Sequence, residues 1–83
     1  MSIELSFAKI LKTLRINNKL SQEELAFRSD LDRTYISMLE RGIHQPTIST
    51  LFALSKALNI KASEMIKLVE IDCENDYESN QQN

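Results

Sequence analysis

The sequence predicts an all-α fold, a compact bundle of five short helices. Only one Gly and one Pro occur in 83 residues, so few residues interrupt helices. Apolar residues recur at intervals of three and four, the spacing that gathers them on one side of a helix. Capping residues precede several of these segments. A chain of this length forms one domain around a single core, which we place at residues 1–70.

The first two helices are marked by an apolar stripe and by a capping motif. The stripe occupies positions i, i+3, i+4 and i+7 of the first helix: Phe7, Ile10, Leu11 and Leu14. The segment INNKL then ends this helix. Ser21 and Glu24 form an S-x-x-E capping box, in which each side chain satisfies a free backbone amide. A second helix therefore begins here and extends to about Ser29.

A tight turn leads into the third helix. Leu31 is the apolar residue of the segment SDLD, so we expect it to fill the core between two helices. Asp32 is the expected N-cap of the third helix. Gly42 is expected to end that helix, because Gly accepts left-handed backbone without steric cost.

Two more helices and a polar tail complete the chain. Pro46 and Thr47 set the start of a fourth helix near residues 48–59, and the segment KASEMIKLVE supplies a fifth. Residues 71–83 hold four acids and no base. Their polar composition buries too little apolar area to offset the entropy of ordering them. We therefore expect a disordered acidic tail at residues 71–83.

The charge distribution does not exclude a nucleic-acid partner. The net charge is −2, but residues 1–70 carry all ten Lys and Arg against eight acids and are net +2. Cys73 is expected to be an exposed, incidental thiol, and His44 is the single His, so the sequence predicts no metal site and no cofactor. No segment approaches the roughly 18 apolar residues of a membrane span, and we expect no signal peptide, because charged residues interrupt the first turns. We expect a soluble, cytoplasmic protein.

The third helix, within DRTYISMLERG, has a core side and an outward side. At 100° per residue, Tyr35, Ile36 and Leu39 lie on the core side. The outward side carries cations, hydroxyls and one thioether: Arg33, Thr34, Ser37, Met38 and Arg41. This mixture suits the edge of a base pair, since Arg can donate to guanine O6 and N7 while a Thr methyl packs on thymine. A solvated surface is the alternative, but a capped helix, a tight turn and this helix together indicate a helix-turn-helix.

The segment from Gln22 to Arg41, QEELAFRSDLDRTYISMLER, resembles the helix-turn-helix of the XRE family, which includes the lambda and 434 repressors and their Cro proteins. The likeness continues through QPTISTLFALSKALNI and covers about residues 7–70. Within this family, LDRTYISMLERG is most similar to the controller proteins of bacterial restriction-modification systems, small dimeric regulators that time expression of the endonuclease. The resemblance implies a lambda-repressor-like fold and a transcriptional regulator that binds operator DNA.

The resemblance also implies roles for individual residues. Arg33 and Thr34 would contact bases, with Ser37 near them, and Gln22 would contact phosphate. Tyr35 would reach the DNA backbone or a distorted thymine step, or it would serve as a structural ring. The complete set of residues expected to bind DNA is Gln22, Arg33, Thr34, Tyr35, Ser37, Met38, Arg41, His44 and Gln45.

Two further positions are interpreted through the resemblance. The family counterpart of Arg15 pairs with the acid that matches Glu40, and we prefer this ion pair to a phosphate contact. Asp30 stands where the family usually has Gly, and Asp tolerates left-handed backbone by bonding locally. Other cations near the first helix are expected to be solvated, with a phosphate track as the alternative: Lys9, Lys12 and Lys19. Lys19 and Arg28 lie near the second helix and would add only weak attraction to DNA.

The fourth and fifth helices offer more apolar surface than one small core needs. We therefore expect a homodimer, with a broad internal core as the alternative. A two-fold dimer would place two recognition helices roughly 34 Å apart and read a pseudo-palindromic operator. The expected interface residues are Leu51, Phe52, Met65, Ile66 and Leu68. The expected partners are double-stranded operator DNA and a second copy of the chain, with RNA polymerase as a further candidate.

Other functions fit the sequence less well. A prophage-type repressor or an antitoxin would share most of these features. A protein-interaction module would use the fourth and fifth helices and leave the DNA face idle, which the outward Arg33, Thr34 and Ser37 argue against. An enzyme is least favoured, because the chain has no Cys–His pairing in one segment and no phosphate-binding Gly loop.

Overall fold

The computed structural model describes the backbone of residues 2–82 and the side chains of residues 2–75. In this part of the chain all regular structure is α-helical, so the predicted five-helix, all-α class is confirmed. The helices are α1 (Ile3–Asn17), α2 (Gln22–Ser29), α3 (Arg33–Glu40), α4 (Ile48–Ala57) and α5 (Ala62–Gln82). Helix α3 packs against α1 and α2, while α5 packs against α1 and α4.

The core contains side chains from all five helices. On α1 the predicted stripe is confirmed, because Phe7 and Leu11 are buried while Ile10 and Leu14 pack at the edge. Leu31, in the turn between α2 and α3, is partly buried against the same cluster, as expected. The other helices contribute fully buried side chains: Leu25, Ile36, Leu39, Leu54 and Met65.

The predicted helix ends are confirmed by their hydrogen bonds. In the capping box, the Glu24 amide donates to Ser21 Oγ and the Ser21 amide donates to Glu24 Oε1, both at 3.0 Å. Asp32 Oδ2 accepts from the Thr34 amide at 3.1 Å. Asp30 has φ 57° and ψ 41°, so it holds the left-handed conformation expected at this turn. These local bonds set where α2 ends and where α3 begins.

Gly42 follows α3 with φ 73°, in the left-handed region where other residues are strained. A Cβ atom at this position would also lie 2.6 Å from Leu5 Cδ2 on α1. The predicted role of Gly42 as the end of α3 is therefore confirmed, and the close approach adds a second reason for Gly.

The sequence analysis places the start of the acidic tail at residue 71, whereas α5 (Ala62–Gln82) continues past this position. Asp72 accepts from Lys9 Nζ at 2.7 Å, so Lys9 of α1 is ion-paired rather than simply solvated. Cys73 is partly buried against the core and not exposed as expected. These contacts order residues 71–75, while the side chains of residues 76–83 lie outside the described part.

The Lys9–Asp72 pair predicts a pH-dependent contribution to stability. The hydrogen bond from Lys9 lowers the pKa of Asp72, so the pair stabilises the fold above about pH 4 and loses its effect as the pH falls through that lowered value. Because Lys9 is exposed, we expect Asp72→Asn to lower the unfolding free energy by only about 0.2–1 kcal/mol at pH 7. The difference from the unaltered chain should shrink toward pH 2.

Urea unfolding of both proteins at pH 7 and pH 2 measures this difference. Glu74→Gln is the matched control, since Glu74 is an exposed acid on the same helix and should change stability little at either pH. Equal stability of Asp72→Asn and the unaltered chain at pH 7 would show that the Lys9 contact contributes nothing.

Candidate nucleic-acid interface

The rotation of α3 about its own axis is set by two side chains in the core. Ile36 and Leu39 are fully buried, so the opposite side of the helix is turned away from α1 and α2. Tyr35 lies at the border, half-buried against the core cluster. The predicted separation into a core side and an outward side is confirmed.

The outward side of α3 carries the polar surface that the sequence predicted. Arg33, Thr34 and Arg41 are exposed, and Ser37 and Met38 are half-exposed beside them. Among the residues with described side chains, none forms a hydrogen bond or ion pair with the Arg33 guanidinium. Its five N–H donors are therefore available to an external acceptor.

Arg41 and the loop after α3 extend this surface. Arg41 Nε donates a long hydrogen bond of 3.4 Å to the Ser37 carbonyl, which holds the side chain near the end of α3. His44 and Gln45 are exposed in the loop, as predicted, and the neighbouring Ile43 is exposed as well. The sequence analysis did not include Ile43 among the residues expected to bind DNA. Its position between Arg41 and His44, which are in that set, could have indicated it.

A largely buried ion pair connects α1 to the last residue of α3. Arg15 Nε donates to Glu40 Oε2 at 2.6 Å, and its terminal nitrogen donates to Glu40 Oε1 at 3.0 Å. Arg15 also donates to the Leu20 carbonyl at 2.9 Å. The hydrogen bond to Glu40 raises the pKa of Arg15 above its ordinary value. The preferred reading of Arg15 as a structural partner of Glu40 is confirmed.

Gln22 belongs to the same network, which the sequence analysis did not foresee. Its Nε2 donates to Glu40 Oε1 at 3.2 Å, so Glu40 joins the first residue of α2 to both α1 and α3. Gln22 is only half-exposed. One of its two amide hydrogens is engaged by Glu40, which orients the amide and leaves the second hydrogen for an outside acceptor.

The apolar surface of α4 and α5 differs from the predicted dimer interface. Phe52 is 61% exposed, and Ile66 and Leu68 are also exposed. Met65 is 0% exposed and Leu51 only 7%, so both lie in the core of a single copy of the chain and not on the surface where the sequence analysis expected them. The apolar residues of α4 span a wide arc. One side of this arc, with Leu51, packs in the core, and the other side, with Phe52, is exposed.

An apolar groove of about 190 Å³ lies beside this surface. Ile3 of α1, Ile48 of α4 and Ile66 of α5 line it, and Leu51 lies at its inner wall. Ile3 and Ile48 are largely exposed, although neither was among the predicted interface residues. The sequence could have indicated Ile48 as an interface residue, because it lies one helical turn before Phe52.

A metal site and a membrane-spanning helix both find no support in the described residues. No group of three or more His, Cys, Asp or Glu side chains there could hold a metal ion. None of the described helices is both long enough and apolar enough to cross a membrane.

Comparison with known proteins shows that this chain is similar to helix-turn-helix proteins. A family model described as helix-turn-helix matches residues 11–65. The control protein C.BamHI of Bacillus amyloliquefaciens is 36% identical over 75 residues, which cover 88% of this chain and 93% of the relative.

Two solved structures agree with the sequence comparison. The restriction-modification controller protein C.AhdI of Aeromonas hydrophila superposes with a TM-score of 0.72 at 39% identity, covering 75% of this chain and 94% of the other. The controller protein C.Esp1396I, solved as a tetramer in complex with its natural 35-base-pair operator, gives a TM-score of 0.78 at 29% identity and covers 87% and 95% of the two chains.

Proposed function

Because the chain belongs to the XRE-type helix-turn-helix family, we propose that it is a sequence-specific DNA-binding regulator of transcription that acts as a homodimer on a pseudo-palindromic operator. The observation that carries the proposal is the outward side of α3. Buried Ile36 and Leu39 hold this helix in place, while the Arg33 guanidinium faces outward without an intramolecular partner among the described side chains.

The proposed contacts follow from where each side chain lies. Arg33, at the first turn of α3, reads a base, and Thr34 and Ser37 contact the neighbouring base edges. Gln22 donates its remaining amide hydrogen to a phosphate from the start of α2. Arg41, His44 and Gln45 flank the groove from the end of α3 and the loop, and Met38 and Tyr35 pack at the margin.

The biological role we propose is that of a restriction-modification controller. The similarity to C.BamHI supports this role, because the aligned region spans 93% of that control protein and not only its reading helix. Because C.Esp1396I was solved as a tetramer with its natural 35-base-pair operator, we also propose that two dimers of this chain bind one operator. The genes that neighbour this one in the source genome test the role. We expect a restriction endonuclease gene among them, and phage or toxin genes in its place would contradict the role.

Selection from random duplexes tests the DNA-binding proposal directly. The purified chain should enrich a pseudo-palindrome whose two half-sites lie about one helical turn apart, as expected for a two-fold dimer. Titration at fixed salt should then show preference for that sequence over a scrambled duplex. Equal affinity for all duplexes, or no binding, would contradict a sequence-specific regulator.

The proposed dimer uses the exposed apolar surface formed by Ile48, Phe52 and Ile66. Ile48 and Phe52 are one helical turn apart on α4, and Ile66 shares the apolar groove with Ile48. A contiguous apolar patch of this kind is unfavourable in a monomer and typical of an interface. The proposed interface therefore keeps Phe52, Ile66 and Leu68 from the sequence prediction, adds Ile48, and omits Met65 and Leu51.

We expect Phe52→Ala to weaken the dimer at least about tenfold. Full burial of a Phe side chain contributes about 1.5–3 kcal/mol, and Phe52 is already partly buried in one copy, so each copy loses only part of this amount. A two-fold interface loses that part twice, and each 1.4 kcal/mol changes the dissociation constant tenfold. Sedimentation equilibrium over a range of concentrations measures the change. Ile16→Ala is the control, because Ile16 is an exposed apolar residue at the end of α1 and should leave association unchanged.

The folded state should tolerate Phe52→Ala, since the side chain is mostly exposed in one copy of the chain. A strictly monomeric unaltered chain at high micromolar concentration would contradict the dimer proposal. An unchanged dissociation constant for Phe52→Ala would instead show that the copies associate through another surface.

A further inference from the structure

The outward side of α3 has a polar edge and an apolar edge. Arg33, Ser37 and Arg41 follow one another at intervals of four residues and form the polar edge. Met38 lies beside them and is half-exposed, and the described core cluster does not include it. The loop after α3 adds Ile43, whose side chain is 53% exposed. Two apolar side chains therefore adjoin the surface that the proposed function assigns to DNA.

Backbone hydrogen bonds hold Met38 and Ile43 next to each other. The Ile43 amide donates to the Met38 carbonyl at 3.1 Å. The Gly42 amide donates to the Leu39 carbonyl at 3.2 Å. With the left-handed backbone of Gly42, these bonds form a Schellman motif, in which the side chains at the two positions that Met38 and Ile43 occupy frequently contact each other. We call Met38 and Ile43 the apolar pair.

The loop that carries Ile43 is also held from the side of α1. Leu5 of α1 lies so close to Gly42 that a Cβ atom there would be 2.6 Å from Leu5 Cδ2. This contact leaves the start of the loop no room to move toward α1. The apolar pair is therefore preorganised, and a ligand that covers it has little ordering of the loop to offset.

The place of the apolar pair indicates which ligand covers it. Thr34 lies one turn before Met38 on α3, and His44 follows Ile43, so both neighbours belong to the proposed reading surface. A group that covers the pair therefore lies beside the base edges in the major groove. The apolar group on a base edge there is the C5 methyl group of thymine, and 5-methylcytosine presents the same methyl group. Neither side chain of the pair carries a charge or a hydrogen-bond donor, so phosphate gains nothing from it.

We propose that the apolar pair is a binding surface for the C5 methyl group of a pyrimidine in each half-site of the operator. This role rests on the proposed function and deepens it, because Ile43 becomes a residue that determines sequence specificity. The two edges of α3 then recognise different features of neighbouring base pairs. Arg33 donates to hydrogen-bond acceptors, while Met38 and Ile43 exclude water from a methyl group.

Replacement of thymine by uracil tests the inference, because it removes the C5 methyl group and leaves every hydrogen-bonding group of the base in place. Each thymine of the operator selected from random duplexes is replaced in turn, in both half-sites together. At one symmetric position the affinity of the unaltered chain should fall about fourfold per half-site, the equivalent of about 0.8 kcal/mol for one buried methyl group. Over two half-sites the expected loss is roughly 16-fold.

Variants of the apolar pair assign this loss to its side chains. In Met38→Ala and in Ile43→Ala, the same uracil replacement should cost much less affinity, and in the double variant it should cost none. Both side chains lie outside the described core cluster, so the variants should fold, and circular dichroism verifies this before each titration. Ile16→Ala is the matched control, since it removes an exposed apolar side chain at the end of α1 and should keep the full loss.

A second arm of the experiment compares the two pyrimidines that carry this methyl group. The sensitive thymine is replaced by cytosine and by 5-methylcytosine, with guanine opposite in both duplexes. The unaltered chain should bind the 5-methylcytosine duplex about fourfold more tightly per half-site than the cytosine duplex. The double variant of Met38 and Ile43 should bind the two duplexes equally. Equal binding by the unaltered chain would overturn the proposal that the methyl group itself is recognised.

The remaining outcomes separate the inference from the function on which it rests. Equal affinity for all duplexes, or no binding, contradicts the proposed function. Sequence-specific binding that no uracil replacement weakens overturns the inference alone. The inference is also overturned if the double variant keeps the full sensitivity to uracil. Loss of that sensitivity in Thr34→Ser, with the double variant unaffected, would assign the methyl contact to Thr34.

Discussion

Replacement of Arg15 by Ala is expected to lower the unfolding free energy by about 3–5 kcal/mol, the cost of breaking a buried ion pair by removing one partner. The Glu40 side chain is only 4% exposed and accepts two hydrogen bonds from Arg15. Without Arg15, this carboxylate would stay buried with only the Gln22 amide as a described partner. The Leu20 carbonyl would lose its side-chain donor at the same time.

Urea unfolding at one fixed protein concentration measures the Arg15→Ala effect, since association of the chain would also add to stability. Lys12→Ala is the matched control, because Lys12 is an exposed cation on the same helix and should change stability by less than about 0.5 kcal/mol. DNA affinity per folded molecule should fall much less than stability. A large loss of affinity with unchanged stability would mean that Arg15 contacts phosphate.

The features predicted correctly from sequence are those with a local signal. The capping box of Ser21 and Glu24 spans four residues, and Asp30 and Asp32 act within one turn. Their energetics are settled by neighbours in the chain, so the sequence pattern alone identifies them. The Arg15–Glu40 pair is different: it joins residues 25 apart, and the resemblance to a known family, not the local pattern, indicated it.

The features that the sequence did not predict depend on contacts between distant segments. Asp72 belongs to a polar, acidic stretch, and nothing near it in the sequence shows that Lys9 will pair with it. Met65 and Ile66 are adjacent apolar residues on α5, yet one is fully buried and the other is exposed. Hydrophobicity identifies both as candidates for burial, but only the packing of α5 on α1 and α4 decides which one faces the core.

The roles proposed for Arg33 and Gln22 differ in kind, and their variants should differ accordingly. In the proposed role, Arg33 donates two parallel hydrogen bonds to guanine, and Arg33→Ala would remove them at an expected cost of about 1–3 kcal/mol in each half-site. Because both half-sites lose the contact, the total is roughly 2–6 kcal/mol, and preference is relaxed at one symmetric base position. Gln22→Ala would remove the proposed phosphate contact and should weaken all sequences alike.

Titration of both variants against the selected operator and its single-base variants, at one fixed salt concentration, separates these effects. Arg33 is exposed, so its loss should leave the fold intact, and circular dichroism verifies this before each titration. Gln22 needs the same check because it also donates to Glu40. If Arg33→Ala weakens every duplex equally, Arg33 holds a phosphate and another residue of α3 reads the base. If it changes nothing, α3 is not the reading element, and the proposed regulator loses the observation that carries it.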